Sequence, residues 1–599
     1  MERLLENVLT GLDRTSVLDF AQYSISSRGL WDSLPAPLVD DIVKKARDIS
    51  FTKDDYIPLS LFRDFKKTGN RMRYEDVYFA KRRKLSCLVI AQCARPDEDF
   101  MPVIEEGIWA ILSEPAWVIP PHNSYVRDTE QLDTPLTGRP ILDLFACETG
   151  EIMALTACCL SGRLNPVLEE DIWHALEERI ARPYITDHFW WMGASGPLNN
   201  WSPWCTQNVL IATLSNRKLD EKTRMKIVKQ ATTTLDSFME SYSEDGGCDE
   251  GASYYHAAAL ALFGALTLLE KASGRDFSPL FGSAKVRGMA GYIEDVFIAE
   301  DLYLNYADCS PKAGTLTVRE YLFAKATGNE AMAHHAALDV MKYGWQEDDN
   351  SYNLFYKLLA LANYREVMEE AGRNIQPQRA GFKYFSKTEL AIYREKDITF
   401  SIKGGNNAES HNHNDVGSII LYKGTRPLLV DIGVETYTKT TFSKDRYTLR
   451  PMQSSYHNLV NFPPVQQKDG SQYKARVLSL DENGASFDLT GAYPADERLT
   501  GYVRTAAFDR EAKTITVTED IESTLTPVLS LISQEEPVPG DGTVNWKSFG
   551  IDFSCGFARA EVEVIEITDA RLRKAWPERL YRTLVTLTGS ACWTIRFKD

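Results

Sequence analysis

The hydrophobic period of this chain changes once, near residue 380, and that change restricts the folds open to it. Up to there, apolar residues recur at helical spacing. In Thr223–Tyr242, the side chains of Met225, Val228, Ala231, Leu235, Phe238 and Met239 fall on one face. Similar runs occupy Phe79–Ala94, Asp171–Ala181, Tyr254–Ala272, Met289–Ile298, Thr317–Ala326 and Tyr352–Ala371. Loops between them carry Pro and Gly, as at Pro120-Pro121 and Gly193–Pro197. From about Lys383 short strand-like segments take over: 390–393, 398–402, 418–422, 476–480, 485–489, 514–517, 561–566 and 584–587. Turn signals such as Asp469-Gly470 and Asn483-Gly484 separate them. The expected fold is multidomain, α then β. Residues 1–380 form a series of helical hairpins curving into an (α/α) toroid. Residues 381–599 form an antiparallel, sandwich-like β-domain. The boundary falls in Gly372–Phe382, where Arg373, Asn374, Gln376, Pro377 and Gln378 break the helical pattern.

At 599 residues the chain is too long for one ordinary core. Its net charge of −17 argues against a nucleic-acid partner, which would need a basic field. The ten cysteines include no C-x-x-C pair, and Cys158 and Cys159 are adjacent; reduced thiols are expected, not a disulfide framework. Met1–Phe20 mixes charges with apolar residues and lacks the form of a secretion signal. The longest apolar run, Ala257–Leu269, is too short for a bilayer. A cytoplasmic protein without a membrane partner is expected. With 12 Trp and 27 Tyr, the chain has aromatic surface for large cores or for a groove that stacks sugar rings.

The most chemically loaded stretch is His411-Asn412-His413-Asn414-Asp415. Read as an extended strand, it points His411 and His413 to the same side. A strand follows, turns at Lys423-Gly424-Thr425, and a second one ends at Leu428-Leu429-Val430-Asp431. Farther on lies Tyr456-His457-Asn458. Three imidazoles and a carboxylate suit zinc, a metal-assisted site or an acid–base site. The plainer alternative is three histidines hydrogen-bonded at a sheet edge.

Lys403–Ser418, then Pro427–Gly433 and Ser454–Asn458, resemble the motifs of the heparinase II/III-like polysaccharide lyase family. Asn199-Asn200-Trp201 and Asp249–Tyr255 add weaker matches, so the resemblance spans most of the chain. It implies a helical toroid followed by antiparallel β-layers. It assigns His413, Asp431 and His457 to a zinc ion that is mainly structural. It also implies β-elimination on glycans containing uronic acids, as polymers or oligosaccharides of glycosaminoglycan or alginate type.

Such a lyase removes the C5 proton of the uronate and expels the oxygen at C4. It needs a base, an acid and a group that neutralises the carboxylate. The resemblance places Tyr254 as base and acid, Asn200 at the carboxylate and His411 in the active site. Where several relatives carry a catalytic histidine after that asparagine, this chain has Trp201. A phenol with an unperturbed pKa of roughly 10 needs positive charge nearby to serve as base at neutral pH. Arg446 and Arg450 are candidates for holding carboxylate or sulfate. Trp201, Trp204 and Tyr255 are candidates for sugar contacts, and His122 for a cleft loop. A cationic patch of Lys444, Arg446, Arg450 and the metal would let an acidic protein take an anionic substrate; short oligosaccharides would ease the same conflict. Two further readings stand beside the lyase. A toroidal glycoside hydrolase would need opposed carboxylates about 5–10 Å apart, and adjacent Asp249 and Glu250 do not suit that. An inactive carbohydrate-binding relative is suggested by Trp201.

Overall fold

The computed structural model describes residues 3–599 except 128, 194–197, 347–350, 376–378, 380, 439 and 599, and the side chain of Phe442. Parts of two sequence expectations, the Gly193–Pro197 loop and the boundary around Gln376–Gln378 and Ala380, lie outside the described residues. The chain forms two compact units. The first comprises 1–241, 256–290 and 315–377; the second comprises 242–255, 291–314 and 378–599. Two segments from the helical half therefore belong by contact to the second unit.

The first unit is helical. Five of its helices are Leu144–Cys159 (α1), Trp201–Leu214 (α2), Ala259–Ser273 (α3), Val318–Thr327 (α4) and Leu354–Ala362 (α5). α1 packs on α2, α2 on α3, α3 on α4, α4 on α5, and α5 returns to α1, which closes a ring. Local signals set the helix ends. Thr317 and Glu320 form a capping box at the start of α4, and Gly328 ends it in the left-handed conformation. Gly274 ends α3 in the same way. Ala252–Ser273 is long and apolar enough by composition to cross a membrane, but 72% of that window is buried inside the protein, as in a core helix. The run at Met289–Ile298 ends differently from the sequence expectation. Its helix stops at Val296, and Phe297–Ala299 pairs as a strand with Leu302–Tyr303. Glu300, at φ +55°, makes the turn.

The second unit is built on two antiparallel sheets that share one apolar core. The smaller sheet is a meander of five strands: Phe382–Phe385 (β1), Leu390–Glu395 (β2), Ile398–Lys403 (β3), Ile419–Lys423 (β4) and Arg426–Leu429 (β5). The larger runs Arg476–Asp481 (β6), Gly484–Asp488 (β7), Leu499–Asp509 (β8) and Thr514–Ser523 (β9), then Arg579–Phe597 and Phe549–Glu566. Tyr393, Phe400 and Leu421 of the first sheet and Phe487, Val517 and Trp593 of the second join the same buried cluster. That is the sandwich arrangement the alternating pattern predicts. The last two strands are far longer than the sequence segments 561–566 and 584–587 suggested, because their partner residues keep pairing from Phe549↔Phe597 to Glu566↔Arg579.

Topology positions the candidate site. β3 and β4 are antiparallel neighbours, with Ile402 opposite Ile419, so the 404–418 loop leaves and re-enters at one end of the sheet. β5 pairs antiparallel with β4, Leu421 opposite Leu429, and therefore delivers Asp431 to that same end. The fully buried Arg504 of β8 ties these loops to the large sheet. It pairs with Glu519 at 2.7 Å and donates to the carbonyls of Gly417 (2.6 Å) and Asn458 (2.8 Å). Lys403, also buried, holds the motif loop from β3 by bonds to Asp415 (2.6 Å) and Glu409 (3.0 Å). One ammonium serves two carboxylates there. Burial, with Asp415 nearby, pushes Glu409 up to about 7 against the pull of Lys403.

Candidate active site and metal centre

The second unit gathers its chemistry around Asp308, a residue that the sequence reading did not single out. Its carboxylate is fully buried. Oδ2 accepts from His411 Nδ1 at 2.9 Å, and Oδ1 from His413 Nε2 at 3.1 Å. Arg446 Nη2 reaches Oδ1 at 2.6 Å, and the Tyr437 hydroxyl reaches Oδ2 at 3.3 Å. Burial alone would raise this carboxyl. The two histidine hydrogen bonds and the Arg446 charge outweigh it and hold Asp308 well below the usual carboxylate range.

The two motif histidines do converge, but not as neighbours on a strand. Residues 411–418 form turns and bends, and His411 sits at φ +56°. This left-handed conformation is uncommon for a residue with a Cβ, and hydrogen bonds on both sides hold it. The His411 ring is fixed on Asp308, and Arg446 Nη2 donates to the His411 carbonyl at 3.2 Å.

His413 Nε2 donates to Asp308, which leaves Nδ1 with its lone pair. That atom, Asp431 Oδ2 and both ring nitrogens of His457 are buried with no hydrogen-bond partner among the described residues. Their ligand atoms lie within 4.8 Å of one another. His457 Nδ1 approaches Asp431 Oδ2 to 2.9 Å, yet the angles make no hydrogen bond. Burying such atoms unmatched is costly, so two nitrogens and an oxygen facing a common point fit a cation. The other carboxylate oxygen of Asp431 accepts from Gly433 N at 2.7 Å, and its carbonyl accepts from Asn305 Nδ2 at 3.0 Å. Asp308 and Gly433 thus fix the ligands from behind, as metal sites require.

Tyr254 stands on the other side of His411. The two rings stack with centroids 4.3 Å apart and planes inclined by 25°. The Tyr254 hydroxyl meets the Tyr437 hydroxyl at 2.6 Å. Arg571 lies over the Tyr437 ring at 4.5 Å, a cation–π contact. Glu250 Oε2 is 3.7 Å from His411 Nε2. Burial, then Tyr437 when it holds the pair's negative charge, then Asp308 and Glu250, push the Tyr254 phenol well above its ordinary value, whereas a neutral Tyr437 can donate to an ionised Tyr254. Tyr437 is raised less, to about 12, because Arg571 and the hydrogen bond from Tyr254 offset burial and Asp308.

Gly251 shapes the approach of this segment. It sits at φ +84°, and a Cβ there would lie 2.7 Å from the Tyr306 carbonyl and 3.1 Å from Cys309 Cβ. Gly251→Ala is therefore expected to destabilise the second unit by about 1–3 kcal/mol. Urea unfolding checks this; an unchanged midpoint would contradict it.

Several sequence assignments change. Tyr255 is no sugar contact: it is fully buried and stacks on Tyr292 at 6.5 Å. Arg446 does not face a substrate anion. Besides Asp308, its donors serve the carbonyls of His411, Asn412 and Thr441. Arg450 stays exposed, 6.0 Å from the Tyr456 ring. Asp249 pairs with Lys387 at 3.0 Å while Glu250 faces His411, so the two are not an opposed carboxylate pair. Tyr437, Asp308 and Arg571 carry no motif, and only the fold brings them together.

Asn200, Trp201 and Trp204 belong to the first unit. The Asn199 carboxamide accepts from Trp201 N at 3.0 Å and so caps α2. Asn200, next to it, is buried. Trp201 is half-buried and packs on Trp190 at 5.0 Å and on His122 at 4.7 Å. His122 Nδ1 bonds to Asp143 at 2.8 Å. Trp204 meets Phe145 edge-on at 6.2 Å. The tryptophans therefore form a continuous aromatic cluster in this unit, which also engages Arg127 over Trp190 at 4.5 Å.

Residues 377–476 match the family model described as Heparinase II/III-like, C-terminal. No curated protein matches the chain in sequence. Among solved structures, a mutant heparan sulfate lyase HepC from Pedobacter heparinus aligns with a TM-score of 0.58 at 13% identity, covering 100% of this chain and 93% of that one. A heparinase III structure aligns with a TM-score of 0.58 at 12% identity, covering 99% of this chain and 93% of that one. At such identities the likeness concerns the fold. Residues 377–476 are thus similar to a heparinase II/III-like C-terminal domain, and the helical-then-β architecture is the one seen in those lyase structures.

Proposed function

We propose that this protein is a polysaccharide lyase that cleaves uronic-acid-containing glycans by β-elimination. The observation that carries this reading is the Tyr254 hydroxyl, hydrogen-bonded to Tyr437 at 2.6 Å and stacked on an Asp308-anchored His411. The heparan sulfate lyase fold supports it. In its ionised form Tyr254 takes the C5 proton. The electron pair of that C–H bond becomes the C4–C5 double bond as the C4–O bond breaks. The leaving oxygen takes the proton back from Tyr254, which restores the phenolate. His411 packs against the ring and limits its motion.

We infer that the metal His413, Asp431 and His457 would hold is zinc, because two imidazoles and a carboxylate are a donor set that suits it. Bound there, it would supply positive charge and fix the loops that carry His411. The proton transfers belong to side chains.

Elimination creates a conjugated double bond that absorbs near ~230 nm, which hydrolysis does not. Incubation with hyaluronan, chondroitin, heparan sulfate, alginate and their oligosaccharides is expected to raise absorbance on at least one. No rise on any, with the protein folded and zinc-loaded, would sink the lyase reading in favour of a hydrolase or a binding protein.

A further inference from the structure

A tyrosine base needs a cation; of the two arginines that the sequence offered, Arg450 is exposed beside Tyr456 and Arg446 is already engaged. All its described bonds run to Asp308 and to backbone carbonyls. Asp308 is itself matched by two histidines and that arginine. Among the described residues, the cation left beside the two phenols is Arg571.

We propose that Tyr437 and Arg571 activate Tyr254: when the pair of phenols ionises, one negative charge is shared across the Tyr254–Tyr437 hydrogen bond and Arg571 balances it. This rests on the proposed role of Tyr254 as base. The 2.6 Å separation falls within the range of a phenol donating to a phenolate. Arg571 lies over the Tyr437 ring, 4.5 Å from its centroid, and its charge favours the ionised phenol. The proton that leaves the pair goes to solvent, and the C5 proton later replaces it on Tyr254.

The placement of Arg571 is built. Asp569 accepts from the backbone N–H groups of Arg571 (2.9 Å) and Leu572 (3.1 Å), and its other oxygen accepts from Thr436 N at 3.1 Å. One carboxylate thereby clamps the loop of Arg571 to the residue before Tyr437. Arg571 Nη2 also donates to the Asp308 carbonyl at 3.4 Å. The titratable and charged groups around the phenols are Asp308, Glu250, Arg571 and the stacked His411, with Arg446 behind Asp308 and Asp569 and Glu435 behind the two loops. Asp308 and Glu250 oppose ionisation, and among the described residues only Arg571 approaches the phenol pair as a cation without being committed to Asp308's carboxylate. Tyr437 and Arg571 are positioning residues here, since they act through Tyr254.

The test follows Tyr254 itself. With 3-fluorotyrosine incorporated, the ¹⁹F resonances of Tyr254 and Tyr437 are assigned by their loss in Tyr254→Phe and Tyr437→Phe, and then titrated. Arg571→Gln and Tyr437→Phe are each expected to move the Tyr254 midpoint up by about one pH unit, and Arg571→Lys to restore part of that shift. The same substitutions should move the acidic limb of the kcat/KM profile upward, lower kcat about tenfold at pH 7 and leave KM within about threefold. A Tyr254 midpoint unmoved by both Arg571→Gln and Tyr437→Phe overturns the inference and leaves the lyase reading intact. A wild-type protein with no elimination activity sinks the lyase reading, and with it the catalytic purpose of this pair, whatever the resonances do.

Discussion

Tyr254→Phe is expected to lower elimination by at least about 10³-fold while the protein stays folded. The substitution removes one oxygen. The ring remains, and with it the 4.3 Å stack on His411. Tyr437 loses its partner at 2.6 Å but keeps Asp308 at 3.3 Å, so the cost in stability is about 1 kcal/mol. Absorbance near ~230 nm and a thermal melt together read both effects. The size of the loss follows from role: a base that also returns the proton is needed at both ends of the reaction. Full activity in the variant would remove Tyr254 from the mechanism and leave His411, with Glu250 3.7 Å away, as the base to examine.

The second large effect concerns the metal. Purified protein is expected to carry about one zinc per chain, and a chelator to lower its melting temperature. His457→Ala should abolish metal retention and destabilise the second unit by about 3–5 kcal/mol, because it leaves Asp431 buried without its cation or its imidazole. Metal analysis of wild type and variant, with melts before and after added zinc, makes the measurement. A metal-free wild type whose melt ignores both chelator and zinc would show that the three residues are merely packed. Asp308→Asn separates orientation from ligation, since it leaves every ligand in place. Metal affinity should fall about 10–100-fold through His413.

What could be read in advance follows from how each residue is marked. His413, Asp431 and His457 stand in short motifs, and strand order then brings the motif loop and Asp431 to one end of a sheet. Period alone gave the helical half and the β half. Other features carried no mark. Asp308 lies 103 residues before His411 and 138 before Arg446, in a segment with no spacing pattern. Arg446 was read as a contact for a substrate carboxylate or sulfate, and no local signal distinguishes an arginine that holds a substrate from one that holds a buried aspartate. Tyr255 differs from Tyr254 by one residue and points into the core. The reversal of His411 into a left-handed turn is likewise a tertiary effect: a strand reading predicted the convergence for the wrong geometric reason.

The threading of the chain sets a limit on modularity. The polypeptide passes between its two compact units five times, at 241/242, 255/256, 290/291, 314/315 and 377/378. The segment that matches the family model, 377–476, supplies the candidate metal ligands and His411. Tyr254, Glu250 and Asp308 come from the two earlier excursions. A fragment cut at 378 would keep both sheets yet lose the proposed base and the carboxylate that aims both motif histidines. The β half is therefore not a cassette that recombination could graft onto another protein with its chemistry intact. Whatever activity the site has must be inherited with the helical half, as one piece.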